Sequence, residues 1–207
     1  MTKPVVIVDY GMGNISSLTA ALKTVTDAVV EISADADRIH ASQRIILPGV
    51  GNFKQAMTNL SQLGLVKTLQ TAVCERDIPI LGICLGMQLL GKSSTESGYT
   101  PGLDLYSGTV KKLKSNLVKV PHVGFNQVSD NGTKKKLLNG LKRNPDFYFT
   151  HSYRMTSHGS DSIGSTFYGE NFTSLIEHDN IYGTQFHPEL SQSNGLRLLH
   201  NFMTLTC

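Results

Sequence analysis

The chain has 207 residues, 40% of them apolar and 17% charged, with a formal net charge of +3 at pH 7. That length suits one domain whose core can hold without staples, and a charge so near neutral does not argue for a nucleic-acid partner. Three cysteines, Cys74, Cys84 and Cys207, in no paired spacing argue against a disulfide framework and against a zinc site, which fits a reducing compartment.

Met1-Thr2-Lys3-Pro4 runs straight into a strand-like segment, lacking the flanks of a signal peptide, and no apolar run reaches membrane-spanning length. A cytoplasmic location is therefore expected, with no membrane partner. Val5 to Asp9 is a β-branched run of the kind covered on both faces in a parallel sheet. A turn at Tyr10-Gly11-Met12-Gly13-Asn14 follows. Ser16 or Ser17 then caps a helix that turns Leu18, Ala21, Leu22 and Val25 to one face. Gly11 and Gly13 resemble part of a dinucleotide fingerprint, but the third glycine is missing, because position 16 is Ser. Ala28 to Ile32 and Arg44 to Leu47 read as further strands, and this alternation of strand and helix predicts a doubly wound α/β sheet. Pro48-Gly49-Val50-Gly51-Asn52-Phe53 comes next, ahead of a helix carrying Phe53, Met57 and Leu60. It is either a flexible turn or a segment whose amides face the reacting centre.

The apolar run Ile80 to Ile83 reads as a short buried strand, and Leu85 to Leu90 as the start of a helix, so Cys84 falls on the turn between them. Gly82 and Gly86 flank it symmetrically, as a sharp nucleophile-bearing turn requires. There the helix N-terminus favours thiolate over thiol, and the amide of Leu85 can meet a developing oxyanion. The competing reading is that Cys84 is a small buried hydrophobe. Beyond it, Lys92 to Pro101 has loop composition. The middle of the chain reads as antiparallel structure, with strands over Gly108–Leu113, Val118–Val120, Gly124–Val128 and Phe147–Phe149. Lys111, Lys112, Lys114, Lys134 to Lys136, Lys142 and Arg143 make this half basic, and without interleaved aromatics they read as a solvated face. Residues 155–172, polar and glycine-rich, read as an excursion from the core.

Ser174–Glu177 and Ile181–Phe186 predict two strands joined by an Asp179-Asn180 turn, and the second ends in His187-Pro188-Glu189. Pro188 disfavours helix and holds His187 extended, so Glu189, two residues on, can reach the ring from the same side. A carboxylate there fixes the imidazole tautomer and steadies the imidazolium, as a general base needs. From Ser193 an amphipathic helix with Leu196, Leu199, Phe202 and Met203 inward closes the chain. Among the other histidines, His40, His158, His178 and His200 read as solvent-facing, while His122 and His151 are structural or line a pocket.

Gly82-Ile83-Cys84-Leu85-Gly86-Met87-Gln88, with His187-Pro188-Glu189 about a hundred residues later, resembles the class I (triad) glutamine amidotransferases. Val8 to Asn14, Leu47 to Gly51, Pro121 to Asn126 and His151-Ser152-Tyr153 narrow the resemblance to the glutaminase subunits of imidazole glycerol phosphate synthases, in histidine biosynthesis. The resemblance spans the whole chain, 1–207, as one amidotransferase domain with a flavodoxin-like, mostly parallel sheet, flanking helices and an antiparallel extension. It implies that Cys84 attacks the side-chain amide of glutamine to give a γ-glutamyl thioester, that His187 shuttles protons and that Glu189 orients His187. It further implies an oxyanion hole from the amides of Leu85 and of Val50 or Gly51, a glutamine pocket lined by Gln88, Ser152 and Tyr153, and no metal or organic cofactor. The implied partner is a (β/α)₈-barrel synthase in a heterodimer, receiving ammonia through a protected passage, with Asn14 in a segment facing it.

Three positions depart from the family pattern: Leu190 in place of a common lysine, Phe125 in place of tryptophan, and Lys54 in place of glycine. None lies in the triad, but Leu190 and Phe125 belong to motifs at the expected partner face. A paralogue that supplies ammonia for amidinating a surface-polysaccharide sugar is therefore the alternative. A cysteine peptidase or thiol hydrolase and a non-enzymatic flavodoxin-like binding module are the rivals from other classes.

Overall fold

The structure, a computed structural model, describes residues 3–114, 116, 118–130, 136–156 and 162–205. Lys134, Lys135, His158 and Cys207 lie outside the described residues. The strands are β1 (Val5–Val8), β2 (Val30–Ser33), β3 (Arg44–Leu47), β4 (Ile80–Ile83), β5 (Ser93–Ser94), β6 (Thr100–Pro101), β7 (Thr109–Lys112), β8 (His122–Gln127), β9 (Asp146–His151), β10 (Tyr153–Thr156), β11 (Ser162–Phe167), β12 (Asn171–His178) and β13 (Ile181–Thr184). The α-helices are α1 (Ile15–Lys23), α2 (Ala36–Ala41), α3 (Phe53–Gln62), α4 (Leu65–Gln70), α5 (Leu85–Leu89) and α6 (Gln192–Thr204).

Five strands in the order β2-β1-β3-β4-β13 pair in parallel, and the sheet continues from β13 through β12, β10 and β7 in antiparallel pairs. Alternation along β1 shows why its residues are all apolar. Val5 and Ile7 join a cluster with Leu18 and Leu22 of α1 and Leu198, Leu199 and Phe202 of α6. Val6 and Val8 face the opposite layer, with Ile39 of α2, Phe53 and Leu60 of α3 and Leu69 of α4. A strand buried on both faces needs an unbroken apolar run, and the helices divide between the two sides as in a doubly wound fold. Among the described residues no helix is long and apolar enough to cross a membrane.

The predicted elements are present, with differences that have local causes. Helix α1 is capped by Asn14, whose side chain accepts from the Ser17 amide at 3.4 Å, so the helix starts before Ser16. Strand β2 begins two residues later than the run Ala28–Ile32 suggests. Val118–Val120 forms no strand: the chain turns there into Pro121, which has no N–H for a ladder. The stretch Lys92–Pro101 contains the short strands β5 and β6, which pair with each other. Residues 162–167 and 171–172 are strand rather than excursion, since β11 pairs antiparallel with β12 across a bend at 168–170. Polarity there is satisfied internally: the buried Thr166 hydroxyl donates to Ser174 Oγ at 2.8 Å. The hydrophobic pattern alone could not show that strand.

The glycines around Cys84 permit close approach. A Cβ on Gly86 would overlap the Leu47 carbonyl oxygen, and one on Gly82 would come within 2.7 Å of the Met87 backbone. Gly86→Ala is therefore expected to cost at least about 2–3 kcal/mol by overpacking. Urea unfolding checks this, and a loss below about 0.5 kcal/mol would mean that the turn and β3 are not locked together.

Candidate active site

The nucleophile candidate stands where two distant segments meet. Strand β13 pairs with β4 so that Thr184 lies opposite Ile83, and the Cys84 amide donates to the Thr184 carbonyl at 2.7 Å. This register puts residue 84 beside the chain that runs on to residue 187, at the carboxyl ends of parallel strands. Cys84 itself has φ 53° and ψ −108°, a region that side-chain-bearing residues rarely occupy. Such strain survives only where the surroundings impose it, and here the two flanking glycines let β4 turn sharply into α5. Cys84 is 6% exposed. Its Sγ lies 3.9 Å from the Thr150 carbonyl, as donor, and 3.8 Å from Gln185 Nε2, as acceptor.

His187 is extended (φ −99°, ψ 97°), as Pro188 predicts. Pro188 does not, however, prevent helix: it occupies the first position of a 3₁₀ turn, Pro188–Leu190, where its missing N–H costs nothing. Glu189 thus reaches back from a tight turn rather than along an extended strand, and its Oε1 meets His187 Nδ1 at 2.8 Å. The main chain here is held by the His187 amide donating to the Tyr148 carbonyl at 2.9 Å and by Ser191 Oγ donating to the His187 carbonyl at 2.6 Å. Nδ1 is the donor to the carboxylate, so Nε2 is the nitrogen that can exchange a proton. It is buried and makes no hydrogen bond to the described residues. Burial opposes a charge on the ring, but interaction with Cys84, together with the hydrogen bond and charge of Glu189, outweighs it. The ring is held well above the ordinary histidine range.

A cleft of about 220 Å³ opens over the sulfur, lined by Val50, Gly51, Cys84, Leu85, Gln88, Glu96 and the segment 150–153 among others. Gln88, Ser152 and Tyr153, which the resemblance implies for a glutamine pocket, are among the residues lining this cleft. Gln88 spends its amide hydrogens on the Tyr153 carbonyl (2.9 Å) and Gln185 Oε1 (3.0 Å), leaving its own oxygen for a ligand.

The family model "Glutamine amidotransferase class-I" matches residues 6–205. The chain belongs to that family. It is 45% identical to the imidazole glycerol phosphate synthase subunit HisH of Moorella thermoacetica, over 97% of this chain and 94% of that protein. It is 43% identical to the subunit of the same name from Aquifex aeolicus, over 95% and 94%. Among solved structures, a crystal structure of a glutamine amidotransferase superposes with a TM-score of 0.74 at 18% identity, covering 96% of this chain and 96% of that one. That likeness speaks for the fold.

One expectation for an amidotransferase site is not met in this state. The Leu85 amide, expected to point free toward an oxyanion, donates instead to the Gly49 carbonyl at 3.3 Å. Gly49 fits so tightly that a Cβ there would come within 2.6 Å of the Tyr10 hydroxyl and 2.8 Å of the Gly86 nitrogen. Val50 and Gly51 do line the cleft, Gly51 with φ +117°.

Two residues of the site carry no signal in the sequence. Glu96 sits in the stretch read as loop, and its carboxylate accepts from the Phe53 amide at 2.7 Å while lining the cleft. Gln185 looks like one more strand residue before the His-Pro-Glu motif. Asn14 is exposed and caps α1. His40 and His200 are half-buried rather than free, their rings on the Thr68 and Val25 carbonyls at 3.1 and 3.2 Å.

His122 and His151 are buried together. His151 Nδ1 must donate to the Tyr153 carbonyl (2.8 Å), so its Nε2 accepts from His122 Nδ1 (3.0 Å), and both rings are neutral. Burial pushes His122 down to about 4. Burial likewise pushes His151 down to about 3; the Tyr153 carbonyl opposes this, and charge on His122 or His187 adds to it. The unfolded chain binds protons at these histidines below about pH 6.5, where the folded protein does not. Stability should therefore fall as pH drops from about 6.5 to about 4. Urea unfolding of wild type and His122→Gln across that range checks it: the variant should show the shallower slope, and equal slopes would contradict the assignment.

Proposed function

We propose that this chain hydrolyses glutamine to glutamate and ammonia through a Cys84 thioester, and that it passes the ammonia to a synthase making imidazole glycerol phosphate. The observation that carries this reading is that the pairing of β4 with β13 brings Cys84 and the His187–Glu189 pair to the same strand ends, His187 Nδ1 being held by Glu189 at 2.8 Å and Nε2 buried. Cys84 Sγ, as thiolate, attacks the carboxamide carbon, and His187, having taken the thiol proton, returns one to the leaving ammonia. His187 then draws a proton from the water that hydrolyses the thioester. Glu189 holds the tautomer throughout. Glu96 is suited to the α-ammonium of glutamine, and Gln88 Oε1 to an N–H of the substrate. No step calls for a metal or an organic cofactor.

Rotation of the Gly49–Val50 peptide would complete the oxyanion hole. It would remove the Gly49 carbonyl from the Leu85 amide and turn the Val50 amide toward the same point, Gly51 following at the rim. Docking of the partner is the natural trigger, because Val50 is 49% exposed at the mouth of the cleft. The docking face we assign contains Phe125 and Leu190, 52% and 41% exposed, with Asn14 at its edge. Phe125 leans on Tyr148 of β9, and the Pro188–Leu190 turn contacts both β9 and α1. The departures from lysine and tryptophan thus give this face a more apolar centre. A (β/α)₈-barrel protein in a cytoplasmic heterodimer is the partner we infer, with residues 1–207 acting as one amidotransferase unit. A passage for ammonia follows from chemistry, since ammonia released to water is largely protonated and no longer nucleophilic. A surface-polysaccharide acceptor is not favoured, because relatives similar over nearly the whole chain carry the imidazole glycerol phosphate synthase name.

Cys84→Ala should abolish glutamine-dependent turnover of the reconstituted complex while leaving the partner's reaction with added ammonium intact. Retained glutamine-dependent turnover would remove Cys84 as nucleophile. Glu189→Gln should lower kcat by less than Cys84→Ala does, since nucleophile and base both remain. Steady-state rates at saturating glutamine check the order, and an equal loss would mean that Glu189 does more than orient.

A further inference from the structure

Beyond the triad, one more side chain points a donor at the sulfur. Gln185 is wholly buried (0% exposed) two residues before His187, and its main-chain amide is pinned to the Ser174 carbonyl at 2.9 Å. Its Nε2 lies 3.8 Å from Cys84 Sγ. A side-chain amide can present either end, and its neighbours decide which.

That decision is made at the Tyr153 carbonyl, which can only accept. Gln88 must offer it Nε2, at 2.9 Å, and the second hydrogen of the same nitrogen goes to Gln185 at 3.0 Å. Gln185 must therefore present Oε1 to Gln88, which leaves its own Nε2 hydrogens for the sulfur. Turning the Gln185 amide over would set NH₂ against NH₂ at one end and oxygen lone pairs against a thiolate at the other. The His151 ring donates to the same carbonyl at 2.8 Å, so Tyr153 O is held in place from two sides.

We propose that Gln185 is a catalytic residue of the glutaminase reaction: its amide N–H stabilises the Cys84 thiolate. This rests on Cys84 being the nucleophile. The Thr150 carbonyl at 3.9 Å favours the thiol, which it can accept from, and repels the thiolate. The Gln185 donor counters it on the opposite protonation state. As the thiolate pair forms the bond to the carboxamide carbon, negative charge leaves sulfur for oxygen, and when the thioester breaks it returns to sulfur. The donor therefore assists the formation of the nucleophile and the departure of the thiolate during hydrolysis. A donor to a charged sulfur is worth about a tenfold shift in the thiol–thiolate equilibrium. A less basic thiolate is also intrinsically slower, by about threefold per tenfold of basicity.

The test is the pH dependence of alkylation of Cys84 by iodoacetamide in the full chain, with the peptide carrying Cys84 followed by mass spectrometry so that the exposed Cys74 does not interfere. Gln185→Met removes the donor at similar length, and Gln185→Glu keeps an acceptor for Gln88 while losing the donor. Two variants guard against one failing to fold, and thermal unfolding identifies those that fold. A folded variant should show its midpoint raised by about one pH unit, with slower alkylation at neutral pH and about threefold faster alkylation above both midpoints. With partner present, kcat at pH 7 should fall about three- to tenfold, and in Gln185→Glu, which keeps the acceptor for Gln88, KM for glutamine should stay within about twofold. An unmoved midpoint in a folded variant, or a loss confined to KM, would overturn the assignment. Failure of the underlying reading would look different: Cys84→Ala would still hydrolyse glutamine.

Discussion

Everything at this site depends on the pairing of β13 with β4. The two strands are separated by a hundred residues of chain, yet Gly183 lies opposite Gly82 and Thr184 opposite Ile83, and the Cys84 amide closes the ladder on the Thr184 carbonyl at 2.7 Å. A slip of one residue would turn the buried sets of both strands inside out, so the hydrophobic layers on either side of the sheet fix the register. With the register fixed, the chain leaving β13 carries Gln185, His187 and Glu189 past the sulfur in order. The placing of Cys84 and His187 is thereby a consequence of sheet packing, while loops contribute much of the cleft lining.

The cost of the arrangement is carried by small residues and by buried polar contacts. Cys84 adopts its strained backbone because Gly82 and Gly86 admit the backbones of α5 and β3 at distances that no Cβ would allow. The buried polar groups around it are joined through the Tyr153 carbonyl, from which one set of bonds runs through Gln88 and Gln185 to the sulfur and the other through His151 and His122. Since a carbonyl only accepts, every amide and ring along both sets has one permitted orientation. Buried polar networks that are satisfied in this way rigidify a site. The Leu85 amide is likewise satisfied, by the Gly49 carbonyl at 3.3 Å.

The sequence displays what is local. Gly-x-Cys-x-Gly between an apolar run and a helix marks Cys84, and His-Pro-Glu at a strand end marks the base with its carboxylate, because each group of residues is contiguous and its spacing already implies geometry. The two-faced burial of β1 and the amphipathic α6 are legible for the same reason. What depends on distant partners is not. Glu96 reads as an ordinary loop residue until α3 offers it the Phe53 amide. Gln185 gains its meaning only through Gln88. Strand β11 is too polar to betray itself, since its Thr166 is satisfied by Ser174 across the ladder. The engagement of Leu85 by Gly49 is a property of backbone orientation, to which composition and periodicity are blind. Even the His187–Glu189 contact, rightly expected, arises from a 3₁₀ turn rather than from extended chain.

The most direct measurement of the central claim is a crystal structure of the partner-bound protein after reaction with a glutamine-derived electrophile that forms a stable bond to the nucleophile. The account predicts a bond to Cys84 Sγ, His187 Nε2 within proton-transfer distance of the adduct, and the Leu85 amide freed from the Gly49 carbonyl and directed at the adduct oxygen. A label on another residue, or a His187 ring turned away from the modified sulfur, would contradict it.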